Sequence, residues 1–192
     1  MSIKTDVLSG RTFLTSLIAD KPIFADEVDK FYYLKLLKRM LKFQEYKGVA
    51  FALLNSELHL ILYAKADDGS PDEWILKVFQ EDYVPWYEHR HAVHETVEAS
   101  VNTVGLCEEQ ALIDACIRIH LLPKRAGYVN WAADYWWSSA LAYLGHVNWD
   151  FIEPELLLSL FDTDIVKARK SLTKAAKKMY GAEFGDSFGY NR

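Results

Sequence analysis

The strongest pattern along the chain is a pair of apolar runs in its second quarter. Residues 49–54 and 58–63 are almost wholly apolar, and the polar triplet Asn55-Ser56-Glu57 separates them. Runs of this length around a polar break predict two buried strands joined by a tight turn. Because these strands are the most apolar in the chain, we expect their hairpin to lie inside an antiparallel sheet of about four strands.

Further strands and helices are predicted on both sides of this hairpin. Strand patterns cover residues 11–18 and 95–104. Apolar residues recur at helical spacing in six segments, namely 27–44, 72–84, 108–121, 138–144, 155–161 and 164–180. Asp26 is expected to cap the first helix, and Pro85 and Pro123 to break, kink or end the helices before them. The order of elements predicts an α+β fold, in which helices pack on a four- to five-stranded antiparallel sheet and further helices form the C-terminal part.

Two groups of polar residues could carry chemistry. Glu57 and His59 alternate along a strand, so their side chains share a face. Together they could bind a divalent metal ion or act as an acid/base pair, although a hydrogen-bonded pair at the sheet rim is the more common arrangement. A second group, His89, His91 and His94, has no regular ligand spacing, and a surface loop is favoured there over a metal cluster.

Composition narrows the classes of protein. The 192 residues are 51% hydrophobic, enough for one sizeable core, and the net charge is −5. Proteins that coat nucleic acid usually carry a basic excess, which this acidic chain lacks, although local basic patches still allow contact with DNA. The apolar runs are too short to cross a membrane, and the first ten residues lack a signal-peptide core. The two cysteines, Cys107 and Cys116, form neither a disulfide framework nor a zinc pattern, so we expect a reducing, cytoplasmic setting.

Several segments resemble one known family. The most specific are Ile119-His120-Leu121-Leu122-Pro123-Lys124-Arg125-Ala126-Gly127 and Asp134-Tyr135-Trp136-Trp137-Ser138-Ser139, the latter running on to Tyr143-Leu144-Gly145. Lys21-Pro22-Ile23-Phe24 and residues 55–60 agree in position. Together these segments make the chain similar to the REP-associated tyrosine transposases, a branch of the HUH single-strand nucleases. The resemblance spans roughly residues 11–180 and implies a ferredoxin-like, HUH-type domain over residues 1–145, with a helical extension over 146–192.

The resemblance also implies where the chemistry would lie. In that family two histidines around a hydrophobic residue hold a metal ion, and a tyrosine attacks the DNA phosphate. The second histidine falls on His59, the first on Glu57, and the tyrosine on Arg118. A polar, glycine-containing turn falls on residues 16–19, and a tryptophan-rich strand entry on residues 97–100. The segments that resemble the family's scaffold keep its residue pattern, whereas the segments that would face the reaction differ from that pattern.

These departures lead to one main functional hypothesis and two alternatives. A guanidinium stays protonated and cannot attack phosphorus, so we expect a transposase-derived protein that binds single-stranded or hairpin DNA without strand transfer. The expected DNA contacts are Lys21, Arg118, Lys124, Arg125, Lys167, Lys170, Lys174 and Lys177. The first alternative is a protein-interaction module, suggested by the net acidity and by Trp131, Trp136 and Trp137. The second is a nuclease in which Glu57 and His59 hold magnesium or manganese, a site expected to be weak.

Overall fold

The structure is a computed structural model that describes residues 11–64, 69–94 and 96–184. Its strands are β1 (Arg11–Ala19), β2 (Lys47–Leu53), β3 (Glu57–Ala64) and β4 (Ala99–Gly105). Its α-helices are α1 (Glu27–Phe43), α2 (Asp72–Lys77), α3 (Val84–His91), α4 (Glu109–Arg125), α5 (Ala140–Leu144), α6 (Pro154–Leu158) and α7 (Ile165–Phe184). A π-helical segment, Val78–Tyr83, joins α2 to α3, and a 3-10 turn, Ala132–Asp134, precedes α5.

The strands form one antiparallel sheet in the order β2-β3-β1-β4. The expected α+β fold with a four-stranded antiparallel sheet is therefore confirmed. The sequence placed both strands of the 49–63 hairpin inside the sheet, and this is wrong for β2, which lies at an edge.

A later segment explains why an edge strand can be so apolar. The Leu53 N–H donates to the Trp137 carbonyl over 2.8 Å, the Ser139 N–H donates to the Phe51 carbonyl over 2.9 Å, and the Glu153 N–H donates to Gly48 over 2.8 Å. Residues 137–153 therefore cover the outer edge of β2, which hides the main-chain groups that an edge strand otherwise exposes. This covering is non-local, so the apolar pattern could not distinguish it from a neighbouring strand.

Helices cover both faces of the sheet, and strand alternation divides the apolar side chains between two cores. One face contributes Leu58, Leu60 and Leu62, which pack with α1, α2 and the π-helical segment. The opposite face contributes Ile61 and Tyr63, which pack with α4, α5, α6 and α7. Helices α6 and α7 thus share a core with α4, and the predicted boundary at residue 145 stays a prediction.

The two prolines lie inside helical segments rather than at their ends. Pro85 lies in the first turn of α3, directly after the π-helical segment, so it lacks an N–H where the helix changes from π-helical to α-helical turns. Pro123 lies in the last turn of α4, so the expected end at residue 121 is wrong and the helix continues to Arg125. His89 and His91 belong to α3 instead of the expected loop.

A buried polar network surrounds His120 within the fold. Its Nε2 atom lies 2.7 Å from Ser139 Oγ, and that oxygen accepts the Phe51 N–H over 2.9 Å. The Tyr143 hydroxyl donates to the Val49 carbonyl over 3.0 Å. His120, Ser139 and Tyr143 are almost fully buried. These residues belong to the segments that carry the family resemblance, and in the structure they tie α4 and α5 to β2.

Candidate functional site

The side chains of Glu57 and His59 meet at the start of β3. His59 Nε2 lies 2.9 Å from Glu57 Oε2, and His59 Nδ1 lies 2.9 Å from Ser16 Oγ. Ser16 is the β1 residue directly opposite His59 in the sheet register, which explains the second contact. Because a carboxylate only accepts hydrogen bonds, Nε2–H is the donor to Glu57, and in a neutral ring Nδ1 accepts the Ser16 hydroxyl.

This chain of carboxylate, imidazole and hydroxyl has a definite chemical capacity. It can hold and pass a proton, because the imidazole connects an acceptor to a hydroxyl. Ser16 was not singled out from the sequence as a partner, since residues 16–19 were matched to a turn. The structure instead places residues 16–19 at the end of strand β1.

The same hydrogen bonds bear on whether a metal ion fits. Both ring nitrogens of His59 already have hydrogen-bond partners, Ser16 Oγ at Nδ1 and Glu57 Oε2 at Nε2. Among the described residues, no third His, Cys, Asp or Glu joins this pair within metal-ligand distance. Two side chains that bind each other make a poor site for a divalent ion. Metal binding by Glu57 and His59 stays a prediction of weak affinity.

An open area of the sheet lies beside the pair. Residues directly opposite on adjacent strands share a face, so Ile18, opposite Glu57, and Asn102, opposite Ser16, lie on the same face as His59. Ile18 is 46% exposed and Val104, on the same face of β4, is 54% exposed. Helix α4 packs on the β2–β3 half of this face, whereas Ile18, Asn102 and Val104 on the β1–β4 half are exposed.

Arg118, which the resemblance matches to the tyrosine, lies on the exposed side of α4 and is engaged by two partners. Its guanidinium lies 2.6 Å from Asp114, one turn earlier on the helix. Its Nε–H donates to the Tyr180 hydroxyl over 3.1 Å. The hydrogen bond with Tyr180 and the contacts with Asp114 raise the pKa of Arg118, so its positive charge is permanent.

Tyr180, near the end of α7, is a residue that the sequence did not identify as part of the site. Its hydroxyl donates a short hydrogen bond to Asp114, and its ring lies 5.2 Å from the Arg125 guanidinium. Burial and the hydrogen bond to Asp114 raise the pKa of Tyr180. The i,i+4 spacing of Asp114 and Arg118 was visible in the sequence. The contact of Tyr180 with these two residues was not visible in the sequence, because it depends on how α7 packs on α4.

The predicted basic residues fall into three groups. Lys167, Lys170, Lys174 and Lys177 are exposed along one side of α7. Arg118 and Arg125 approach the same helix through Tyr180. Lys124 lies 5.7 Å from the Trp131 ring, and Lys21 lies after β1 in a half-buried position. The packing of α7 on α4 therefore brings Arg118 and Arg125 near a lysine-bearing helix, and a role of these residues in DNA contact stays a prediction.

The histidine-rich segment contributes one residue to a separate polar cluster. Asp26, Asp29 and His91 bring a carboxylate oxygen or ring nitrogen each within 4.8 Å of the others. The guanidinium of Arg90 already binds both carboxylates, at 2.7 Å from Asp26 and through a short contact with the fully buried Asp29. The cluster thus fastens the end of α3 to the start of α1, where Asp26 caps the helix as expected and also forms a capping box with Asp29.

Comparisons with known proteins agree with this architecture. No family model matches the chain, and no curated protein matches it. Among solved structures, it is similar to a REP-associated tyrosine transposase bound to a REP hairpin, with a TM-score of 0.58 and 10% sequence identity. The match covers 76% of this chain and 92% of that one. The chain therefore has the fold of this transposase.

Proposed function

We propose that this protein binds single-stranded or hairpin DNA on a transposase-like fold and does not join itself to that DNA. The solved transposase with the same fold is bound to a REP hairpin, which supports DNA as the ligand class. No helix in the described residues is long and apolar enough to cross a membrane. The thiols of Cys107 and Cys116 are free, which fits the proposed cytoplasmic setting.

The observation that carries the proposal is the state of Arg118. The position that the resemblance assigns to the nucleophile holds a permanent cation, and Asp114 and Tyr180 orient it on the exposed side of α4. A guanidinium can bind a phosphate through two hydrogen bonds but cannot attack it. The arrangement therefore favours binding of a DNA phosphate over its covalent transfer to the protein.

The row of lysines on α7 supplies positive charge for binding the DNA phosphates. The four predicted lysines recur at intervals of three or four residues, so they follow one side of the helix, and Lys178, four residues after Lys174, adjoins them. Such a row, in a chain of net charge −5, supports a local rather than a general affinity for nucleic acid.

Fluorescence anisotropy with a labelled DNA hairpin that carries single-stranded flanks tests the proposal. We expect binding at low salt that weakens steeply as salt rises. The double variant Lys170→Gln/Lys174→Gln should bind more weakly. The slope of log affinity against log salt should become shallower by about 1.4, the value for two lost contacts to single-stranded DNA.

The matched control removes the same charge from other surfaces. Arg11 lies at the start of β1 and Lys77 lies on α2, and both are exposed. Arg11→Gln/Lys77→Gln should leave the salt slope unchanged if the predicted row makes the contacts. Failure of the unmodified protein to bind at low salt would reject the proposal in favour of a protein partner. The exposed Trp136, at 51%, would then be the first residue to examine.

A further inference from the structure

A basic cleft lies away from the Glu57–His59 pair. It has a volume of about 420 Å³ and runs between the second half of α1 and residues 150–153. Helix α1 packs on the sheet face that carries Leu58, Leu60 and Leu62, whereas Glu57 and His59 point to the opposite face. The cleft is therefore separate from the candidate site, and its size is that of a small-molecule site.

Five cations line the cleft against two carboxylates. The cations are Lys35, Lys38, Arg39, Lys42 and Lys47, and the carboxylates are Asp150 and Glu153. Four of the cations lie within two turns of α1, so they project from one side of the helix. This concentration of positive charge contrasts with the net charge of −5 for the whole chain.

The wall opposite α1 is fixed by main-chain contacts. Gly48 forms a parallel β-bridge with Ile152 and accepts the Glu153 N–H over 2.8 Å. A Cβ atom on Gly48 would lie 2.5 Å from the Phe151 carbonyl oxygen, so only glycine allows this approach. Because β2 holds the segment directly, the cleft is formed before any ligand binds.

Three of the five cations in the cleft have ion-pair partners, and two lysines have none among the described residues. Lys47 pairs with Glu153 at 2.7 Å, Lys38 pairs with Asp150 and Arg39 pairs with Asp82 at 3.3 Å, with all six side chains at least 40% exposed. Exposed pairs of this kind contribute little stability and can rearrange around a stronger anion. Lys35 and Lys42 form no hydrogen bond or ion pair with any described residue and are exposed. Their charges are available to a ligand.

We infer that this cleft binds a ligand through two or more phosphate groups. Clustered ammonium groups, one guanidinium and a rigid concave wall suit an anion with several closely spaced charges. The phosphates can belong to a free oligophosphate, such as the chain of a nucleotide, or to the backbone of DNA. Binding of a free oligophosphate does not depend on the proposed function, whereas binding of a DNA backbone in the cleft rests on it.

Titration of the full chain with sodium tripolyphosphate tests the inference by calorimetry and by amide chemical shifts. We expect one site, with shifts concentrated in residues 35–47 and 150–153. The variant Lys35→Gln/Lys42→Gln should lose about tenfold or more in affinity, since two charge-assisted contacts are removed. Lys77→Gln/Lys178→Gln, which removes equal charge elsewhere, should bind as the unmodified protein does.

A second arm distinguishes the two sources of phosphate. If Lys35→Gln/Lys42→Gln also weakens the DNA hairpin and tripolyphosphate displaces that hairpin, DNA backbone occupies the cleft. If only tripolyphosphate binding suffers, the ligand is a free oligophosphate, and this result stands even if the protein binds no DNA at all. The inference is overturned if neither ligand loses affinity in the variant, or if the control variant loses as much.

Discussion

At the scale of single residues, the side chains at the family's reactive positions are bound to one another or to neighbours. His59 lies between Glu57 and Ser16, and Arg118 lies between Asp114 and Tyr180. The chemistry open to these groups is proton exchange at the first site and phosphate binding at the second. The first arrangement contains no tyrosine, and the hydroxyl of the tyrosine in the second, Tyr180, is engaged by Asp114 and Arg118.

The protein is therefore expected to form no covalent link to DNA through a tyrosine. A nucleophile must stand in line with the phosphorus at near-attack distance, and at the position that the resemblance assigns to the nucleophile α4 carries Arg118. Cys116, on the same helix, is fully buried, and burial raises the pKa of its thiol to about 12. Incubation with hairpin DNA and manganese, followed by denaturing electrophoresis, should show no protein-linked DNA.

Tyr180 is the residue by which this prediction could fail. Its hydroxyl contacts Arg118, but burial raises its pKa, so the reactive phenolate is disfavoured. An adduct that disappears in Tyr180→Phe would show that α7 supplies the nucleophile that α4 lacks. An adduct that survives this change would place the nucleophile elsewhere, and either adduct contradicts the prediction.

At the scale of elements, β2 depends on the segment that covers its outer edge. That segment lies against β2 at Gly48, where a Cβ atom would collide with the backbone of Phe151. Backbone cannot move aside as a flexible side chain can, so a methyl group there must displace the covering segment or the strand. The contacts of Trp137 and Ser139 with β2 lie further along the same edge.

Gly48→Ala is expected to destabilise the protein by about 1–3 kcal/mol, the usual cost of overpacking a buried site. Urea denaturation followed by circular dichroism gives the free energy of unfolding. Gly105→Ala is the matched control, because Gly105 also lies in a strand and a Cβ atom there meets nothing within 4 Å. Equal stabilities for the two variants would mean that the covering segment is not held as tightly as its hydrogen bonds indicate.

Local patterns in the sequence were sufficient to predict most helices and strands but not the contacts that these make with distant parts of the chain. The apolar spacing of α1 and its cap at Asp26 depend on neighbouring residues, so both could be predicted. The end of α4 could not, because Pro123 is buried in the last turn and tertiary packing extends the helix beyond it. Pairing of Glu57 with His59 followed from strand alternation. Ser16 and Tyr180 required the sheet register and the packing of α7, which no local pattern contains.

At the scale of the whole molecule, His120 connects parts of the chain that are distant in sequence. Through Ser139 it joins α4 to the segment covering β2, and its ring packs against Tyr143 of α5. The ring is fully buried, and burial lowers the pKa of His120 to about 3. The folded protein therefore holds a neutral imidazole, whereas the unfolded chain protonates it below a pH of about 6.5.

The stability of the whole protein should consequently fall with acid. Between pH 6.5 and about 3 the unfolded state binds one more proton at His120 than the folded state, so each step down in pH favours unfolding. The contribution is small at pH 7 and amounts to about 2 kcal/mol by pH 5. Free energies of unfolding in urea at pH 7, 6 and 5 measure this loss. His120→Gln should show a shallower decline than the unmodified protein, although it starts from a lower stability, because its amide does not titrate. His146→Gln, which removes an exposed histidine just after α5, should retain the full decline. Parallel curves for the unmodified protein and His120→Gln would mean that acid opens the molecule at another group.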